Sequence, residues 1–175
     1  MTKQELRRYI RQQKAALSPS QRKAAAVALC RKVEADPHFM EARTILLYYP
    51  LPDGVDVRPL LHSTPTKQLL LPVVVGDDLE LRIYQGEASL RPGAFGILEP
   101  VGPAFTQLET IDLAIVPGIA FTPEGQRLGR GRGYYDRLLP RLQQAYKMGV
   151  CWACQLVEAI PTEAHDMKTD SVISA

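Results

Sequence analysis

"IDLAIVPGIAFTPEGQRLGRGRGYYDRLL", residues 111–139, runs from an apolar segment through a turn-rich stretch into a loop of alternating glycine and arginine. Residues 111–117 read as a buried strand, closed by Pro117-Gly118. Residues 127–136 then hold three glycines, three arginines, two tyrosines and one aspartate. Glycines at 129, 131 and 133 rule out a well-formed helix or strand there. "YYDRLLPRLQQAY", 134–146, reads as a helix that has to tolerate Pro140. Strand, loop and helix in that order form the repeating unit of a layered α/β fold.

The rest of the chain repeats the alternation. Thr2 with Glu5 makes a capping box, and Leu6, Ile10 and Leu17 give the first helix a sparse apolar stripe. Ser18 and Pro19 start a second helix that runs to about Val33, before Asp36-Pro37 ends it or opens a short turn. "TILLYY" (44–49) is a buried strand, and "DVRPLLHS" (56–63) a short helix with Pro59 near its start. "KQLLLPVVV" (67–75) is a strand interrupted at Pro72, and "LELRIYQ" (79–85) alternates as a strand with one wet face. "GVCWACQ" (149–155) and "TDSVISA" (169–175) complete the strands. The proline-rich stretch 90–104 reads as extended and irregular, either the wall of a pocket or a plain surface connection. A single α/β domain over residues 1–175 with a mostly parallel central sheet is expected.

The chain has 175 residues and a net charge of +2, unevenly placed. Its first 32 residues carry nine Lys or Arg and one acid, Glu5, so the remainder is net acidic. A basic segment of this kind serves phosphates, nucleic acid or a membrane surface, or is a solvated helix face. No apolar run approaches the roughly 20 residues that span a bilayer. The start lacks an apolar secretory core, so a cytoplasmic location is expected. Cys30, Cys151 and Cys154 make no disulfide framework. "CWAC" lies in a strand and not at a helix start, which favours core packing over redox chemistry.

The glycine–arginine loop suits a phosphate. Glycines let backbone N–H groups converge on an anion, the following helix start adds partial positive charge, and Arg127, Arg130 and Arg132 add forked donors. An acid beside a polyphosphate calls for a divalent cation between them, and Asp136 fits that need. The loop matches neither the P-loop nor the dinucleotide pattern. Alone, it equally describes an RNA-contacting loop in which Tyr134 and Tyr135 stack on bases. One of the two tyrosines is expected to pack into the core, because helix neighbours point about 100° apart.

"VPGIAFTPEGQRLGRGRGYYDRLL" resembles the signature of the 5-formyltetrahydrofolate cyclo-ligase family, and "KQELRRYIR", "LLYYPLPDGVDV", "GILEP" and "CQLVEAIPTEAHDMKTDSVIS" resemble its other segments in order. The resemblance implies a three-layer α/β/α fold with a mostly parallel central sheet, similar to that of sugar-phosphate isomerases and CoA transferases. It implies ATP-dependent closure of 5-formyltetrahydrofolate to 5,10-methenyltetrahydrofolate, with ADP and phosphate released. By resemblance, ATP is contacted by Lys3, Gln4 and Arg7 and wrapped by Arg127, Leu128, Gly129, Arg130, Gly131, Arg132, Gly133, Tyr134 and Tyr135. Arg130, Arg132 and Tyr134 carry the catalysis. Tyr49, Gly54 and residues 130–134 meet the folate, and Asp136 and Asp166 hold Mg²⁺. Arg8, Arg11 and Lys14 are left as solvated charges, and His165 as a packing or surface residue.

One position departs from the family pattern. Gly54 stands where the substrate loop usually carries Glu, with Asp53 and Asp56 as the nearest acids. Weaker folate binding, or a related substrate, is expected. Two other classes compete with the ligase: a nucleotide- or RNA-binding module that kept the loop without the chemistry, and a sugar-phosphate or CoA-ester enzyme using Glu99 or Glu124 as its carboxylate. The partners expected are a reduced folate and ATP, without nucleic acid or membrane, at a monomer.

Overall fold

Two capping boxes start the helices that the sequence marks. Thr2 Oγ1 accepts from the Glu5 amide at 3.1 Å while Glu5 accepts from the Thr2 amide at 2.9 Å. Ser18 and Gln21 repeat the arrangement. The computed structural model describes residues 1–63 and 65–175. In chain order its elements are α1 (Lys3–Ala15), α2 (Pro19–Ala35), α3 (Pro37–Glu41), β1 (Thr44–Leu46), α4 (Pro59–His62), β2 (Gln68–Val75), β3 (Asp78–Ile83), β4 (Leu90–Pro92), β5 (Leu98–Pro100), β6 (Leu113–Val116), β7 (Ala120–Phe121), β8 (Arg127–Leu128), α5 (Tyr134–Leu138), β9 (Tyr146–Cys151) and β10 (Ser171–Ser174).

Six strands form one sheet in the order β10-β9-β6-β1-β2-β3. All neighbours are parallel except β3, which returns antiparallel to β2. Alternate residues of each central strand enter different cores, as the pleat demands. Ile45, Leu69, Leu71, Leu113 and Ile115 pack with Leu29, Val33, Phe39 and Leu60 of α2, α3 and α4. Leu46, Leu70, Ala114 and Val116 face the other way, against Leu138, Leu139 and Leu142 at and after α5. Helices therefore cover both faces, which gives the three-layer α/β/α architecture. Helix α1 lies apart, its Leu6 and Ile10 packed on Ile119, Ala120, Leu128 and Ile160. No helix among the described residues is long and apolar enough to cross a membrane.

Three local expectations need correction. The helix at 134–146 stops at Leu138, gives one 3-10 turn over Leu139–Arg141, and the chain enters β9 at Tyr146. Pro140 has no amide for the ladder and its ring would strike the carbonyl four residues back, so the helix cannot pass it. The strand at 149–155 begins earlier, at Tyr146, and ends at Cys151, with a 3-10 turn over Ala153–Gln155. Pro72, by contrast, does not interrupt β2. Tyr84 donates to Leu69 O, whereas Ile83 donates to Pro103 O on the far side of β3. Residue 72 pairs with Leu81, a position whose backbone likewise turns away from β2. The missing amide of Pro72 thus faces the side where β1 has already ended.

The cysteines pack as core. Burial pushes the Cys30 thiol up to about 11 and the Cys151 thiol up to about 12, which leaves both protonated and inert at neutral pH. The ring of Phe121, fully buried, lies against Gly118, just after β6, and Gly149 of β9. A Cβ on Gly149 would stand 2.5 Å from that ring. Gly149→Ala is expected to destabilise the fold by about 1–3 kcal/mol through overpacking. The measurement is thermal unfolding, where each kcal/mol shifts Tm by about 2–4 °C in a domain of this size; an unchanged Tm would contradict this packing.

Candidate functional site

The strand order reverses between β1 and β6. From β1 the chain adds β2 and β3 on one side, and from β6 it adds β9 and β10 on the other. The crossovers leave a crevice beyond the carboxyl ends of β1 and β6, where open α/β sheets bind ligands. Tyr48 and Tyr49 follow β1, and Pro117 and Gly118 follow β6; all four line a cavity of about 700 Å³. That volume is ordinary for a small-molecule site.

One face of α1 supplies cations to this cavity. Lys3, Arg7 and Lys14 recur near the helical period, so their side chains leave the same side. Lys3 Nζ donates to Asp166 Oδ2 at 2.8 Å and to Glu163 Oε1 at 3.2 Å. Arg7 Nε donates to Gly129 O at 2.8 Å. Lys14 Nζ donates to Asp53 Oδ2 at 3.1 Å, with only 5% of its side chain exposed. Lys14 is therefore not a solvated charge but a buried one at the cavity wall. Gln4 is exposed and does not line the cavity, because one residue on from Lys3 points about 100° away.

The glycine–arginine loop faces α1 across the cavity, and every residue from Arg127 to Asp136 lines it. Gly131 (φ +103°) and Gly133 (φ +72°) take left-handed backbone, which fits glycine and lets the loop reverse twice before α5. Arg127 Nε donates to Pro117 O at 2.6 Å, and its guanidinium lies 5.0 Å from the Tyr135 ring centre. Arg130 reaches Asp53 Oδ1 at 3.3 Å. Arg132 lies 4.4 Å from the centre of the Phe95 ring. Arg137 anchors the loop from behind, donating to Arg132 O at 2.9 Å, to Asp77 O and to Asp78. Tyr134 and Tyr135 are both half-buried against the core cluster of Leu46 and Leu138. Burial pushes the Tyr135 hydroxyl up to about 12, so it stays protonated.

Two acids stand at the α1 end. Asp136 Oδ1 accepts from the Met167 amide at 3.0 Å, and Asp166 Oδ2 accepts from the Glu163 amide at 2.9 Å. Burial works to raise the Asp166 carboxyl, but the Lys3 ammonium and the Glu163 amide outweigh it and hold it below the ordinary range. His165, beside them, also lines the cavity, with its ring nitrogens 3.6 Å from Asp166 and 3.8 Å from Glu163.

A second wall is mostly apolar, with Glu99 in it and Arg132 against its Phe95. Pro72, Val74 and Leu79 of the β2–β3 hairpin meet Phe95 and Ile97, which stand between β4 and β5. Residues 90–100 of the proline-rich stretch thus form a hairpin, not an irregular segment, and Phe95, Ile97 and Glu99 of it line the cavity. Gly54 lines it too, and a Cβ there would meet Leu51 O at an ordinary 3.4 Å with no left-handed backbone. The turn does not demand glycine, so the missing side chain is a property of the site and not of the fold. Asp56 is taken by Arg58, through two bonds of 2.8 Å to the guanidinium and one of 3.0 Å to the amide.

The family model described as the 5-formyltetrahydrofolate cyclo-ligase family matches residues 1–175. This chain belongs to the 5-formyltetrahydrofolate cyclo-ligase family. It is 31% identical to 5-formyltetrahydrofolate cyclo-ligase of Escherichia coli strain K12 over 94% of this chain and 96% of that one. It is 28% identical to the Mus musculus enzyme of the same name, over 98% and 92%. Among solved structures, 5,10-methenyltetrahydrofolate synthetase of Aquifex aeolicus superposes with a TM-score of 0.89 at 37% identity, covering 99% of this chain and 90% of that one. The synthetase of Mycoplasma pneumoniae superposes at 0.79 and 25% identity, covering 99% and 98%. In this cyclo-ligase family member, the residues that the resemblance assigns to ATP, folate and Mg²⁺ all line one cavity, except Gln4.

Lys14, Asp53, Phe95 and Glu163 belong to the same constellation and carry no motif of their own. Lys14 was reachable from the helical spacing to Lys3 and Arg7; the other three are brought in by loops. Asp53 joins α1 to the glycine–arginine loop. Burial works to raise its carboxyl, and Lys14 and Arg130 together outweigh that and lower it. A lowered carboxylate stabilises the fold fully above the unfolded value of about 3.9, and loses that contribution as pH falls through its folded value. Asp53→Asn also leaves the Lys14 ammonium enclosed without its carboxylate, expected to cost about 1–3 kcal/mol at neutral pH. Urea midpoints followed from about pH 6 to pH 2.5 should show the variant weaker at neutrality and the gap closing in acid. Parallel curves would contradict the bridge.

Proposed function

We propose that this chain closes 5-formyltetrahydrofolate to 5,10-methenyltetrahydrofolate with conversion of ATP to ADP and phosphate, and that the cavity at the sheet's switch point is where it does so. The observation that supports the reading is one cavity lined both by the cations of α1 and residues 127–132 and by apolar side chains of the two hairpins, with Arg132 meeting the hairpin wall at Phe95. The cations suit a triphosphate and the apolar side chains a reduced pterin.

The formyl oxygen of an N-formyl group is a poor leaving group. Transfer of the γ-phosphoryl to that oxygen releases ADP and makes it a good one. N10 then attacks the formyl carbon, its proton departs, and phosphate leaves with the oxygen. Phosphoryl transfer calls mainly for alignment and charge neutralisation. Lys3, Arg7 and Arg127 hold the nucleotide phosphates, and the amides of the glycine loop converge on them. Arg130 and Arg132, exposed at the rim, neutralise the transferring group, and the Tyr134 phenol orients it. Leu128, Gly129 and Tyr135 form the floor, and Tyr49 and the Gly54 turn border the folate.

The donor set also fits Mg²⁺. Asp136 Oδ1 is held by the Met167 amide and Asp166 Oδ2 by the Glu163 amide and the Lys3 ammonium, which leaves the second oxygen of each carboxylate as an acceptor. Oxygen ligands from one or two carboxylates, completed by phosphate oxygens, are what Mg²⁺ takes. Bound there, the ion would neutralise phosphate charge. We place the working protein in the cytoplasm as a monomeric single domain without nucleic-acid or membrane partners. The RNA-binding alternative is disfavoured because Arg7 and Arg127 are half-buried and tied to backbone carbonyls, and Arg130 and Arg132 are engaged by Asp53 and Phe95, in a cavity shared with apolar side chains.

Mixing the protein with 5-formyltetrahydrofolate and Mg-ATP should raise absorbance in the methenyl-folate band. Asp136→Ala should reduce that rate by at least about 100-fold, the scale of losing one charge-stabilising group. Gly54→Glu should fold normally and lower the folate KM, since the turn has room for the side chain. Absence of an ATP-dependent rise in the unmodified protein would overturn the ligase reading. Equal folate affinity with Gly or Glu at 54 would overturn the role given to that position.

A further inference from the structure

The mostly apolar wall of the cavity contains one carboxylate, Glu99 of β5. Among the described residues that line the cavity, the other acids are Asp136, Glu163 and Asp166, which are gathered around Lys3 and the backbone of residues 163–167. Glu99 instead shares the cavity wall with Pro72, Val74, Leu79, Phe95 and Ile97; its β4 register partner Arg91 spends its guanidinium on the Ala88 and Leu90 carbonyls. We propose that Glu99 receives the pyrimidine edge of the folate's pterin ring and sets the enzyme's specificity for a 2-amino pterin. The inference rests on the folate reading above.

Its placement is built from both hairpins. Beyond the end of β1, the exposed side of β2 presents Pro72, which has no amide, and then Val74. The Val74 amide donates to Glu99 Oε2 at 2.9 Å. The carboxylate also sits in a notch opened by Gly93, where a Cβ would stand 2.0 Å from Oε1. Position 93 cannot hold any side chain while Glu99 keeps this rotamer. Oε1 has no hydrogen-bond partner among the described residues, and Oε2 retains a second lone pair. A carboxylate fixed in an apolar wall, with acceptor capacity left over, matches a ligand that brings two adjacent N–H donors. The 2-amino group and N3–H of a pterin are such a pair, and charge-assisted bonds of this type strengthen as water is excluded. Satisfying Val74 alone would need only one neutral acceptor.

Glu99→Gln separates the two roles, because its amide oxygen can still accept from Val74 while its NH₂ opposes the pterin donors. With wild type, 5-formyltetrahydrofolate and a 2-desamino analogue are compared, each with Mg-ATP, and thermal unfolding is read alongside. The expected result is a folate KM raised about 10- to 100-fold in Glu99→Gln, with the ATP KM and Tm unchanged. The desamino analogue should be used equally by both proteins. An unchanged folate KM overturns the proposal. So does an equal loss for both substrates, which would mark Glu99 as a tie between hairpins only. Failure of the wild type to turn over 5-formyltetrahydrofolate at all overturns the folate reading beneath it.

Discussion

Like charge is the constraint on which this architecture depends. Lys3, Arg7, Lys14, Arg127, Arg130 and Arg132 converge on one cavity, and cations so close must be balanced before any anionic ligand arrives. Each one is. Lys3 rests on Asp166 and Glu163, Lys14 and Arg130 share Asp53, Arg7 and Arg127 donate to backbone carbonyls, and Arg132 lies on the face of Phe95. These contacts also tie α1, the 50–56 turn, the glycine–arginine loop and the 163–167 segment to one another. In the proposed reaction an arriving polyphosphate would meet donors already oriented, which lowers the reorganisation that charge stabilisation otherwise requires.

The sheet makes that convergence possible. Reversal of strand order between β1 and β6 sends the chain's crossovers apart and opens a crevice at their carboxyl ends. Both flanking strands are apolar on both faces, so their ends are rigid platforms, and the polar work is left to loops. The two walls of the cavity then differ for a topological reason. Residues after β6 lead into the arginine loop, whereas β2 outruns β1 and offers an apolar edge that the β4–β5 hairpin covers.

Much of this was legible in the residues. Apolar runs at 44–49, 67–75 and 111–117, alternating with capped helices, specify a parallel α/β sheet, because a strand buried on both faces has no other pattern. The loop 127–136 stood out as a candidate anion site through its glycines and arginines, and the resemblance of the same stretch to a folate ligase signature named the family. Misjudged lengths trace to proline. At 140 it ended a helix that periodicity would have continued, and at 72 it left a strand intact, because its effect depends on which neighbour the missing amide faces.

What the sequence determined by itself was local: where helices are capped, which runs are buried, and which loop concentrates positive charge. Pattern and backbone sterics act over a few residues, so they can be read in one dimension. What the tertiary structure decided was pairing across distance. Lys14 looked like any solvated lysine until Asp53, 39 residues away, was brought to it. Glu99 was only a candidate carboxylate for a different enzyme class until Val74 and Gly93 were found to fix it in a mostly apolar wall. Partners so separated meet only after the sheet has set its strand order, and no spacing in the chain encodes that meeting.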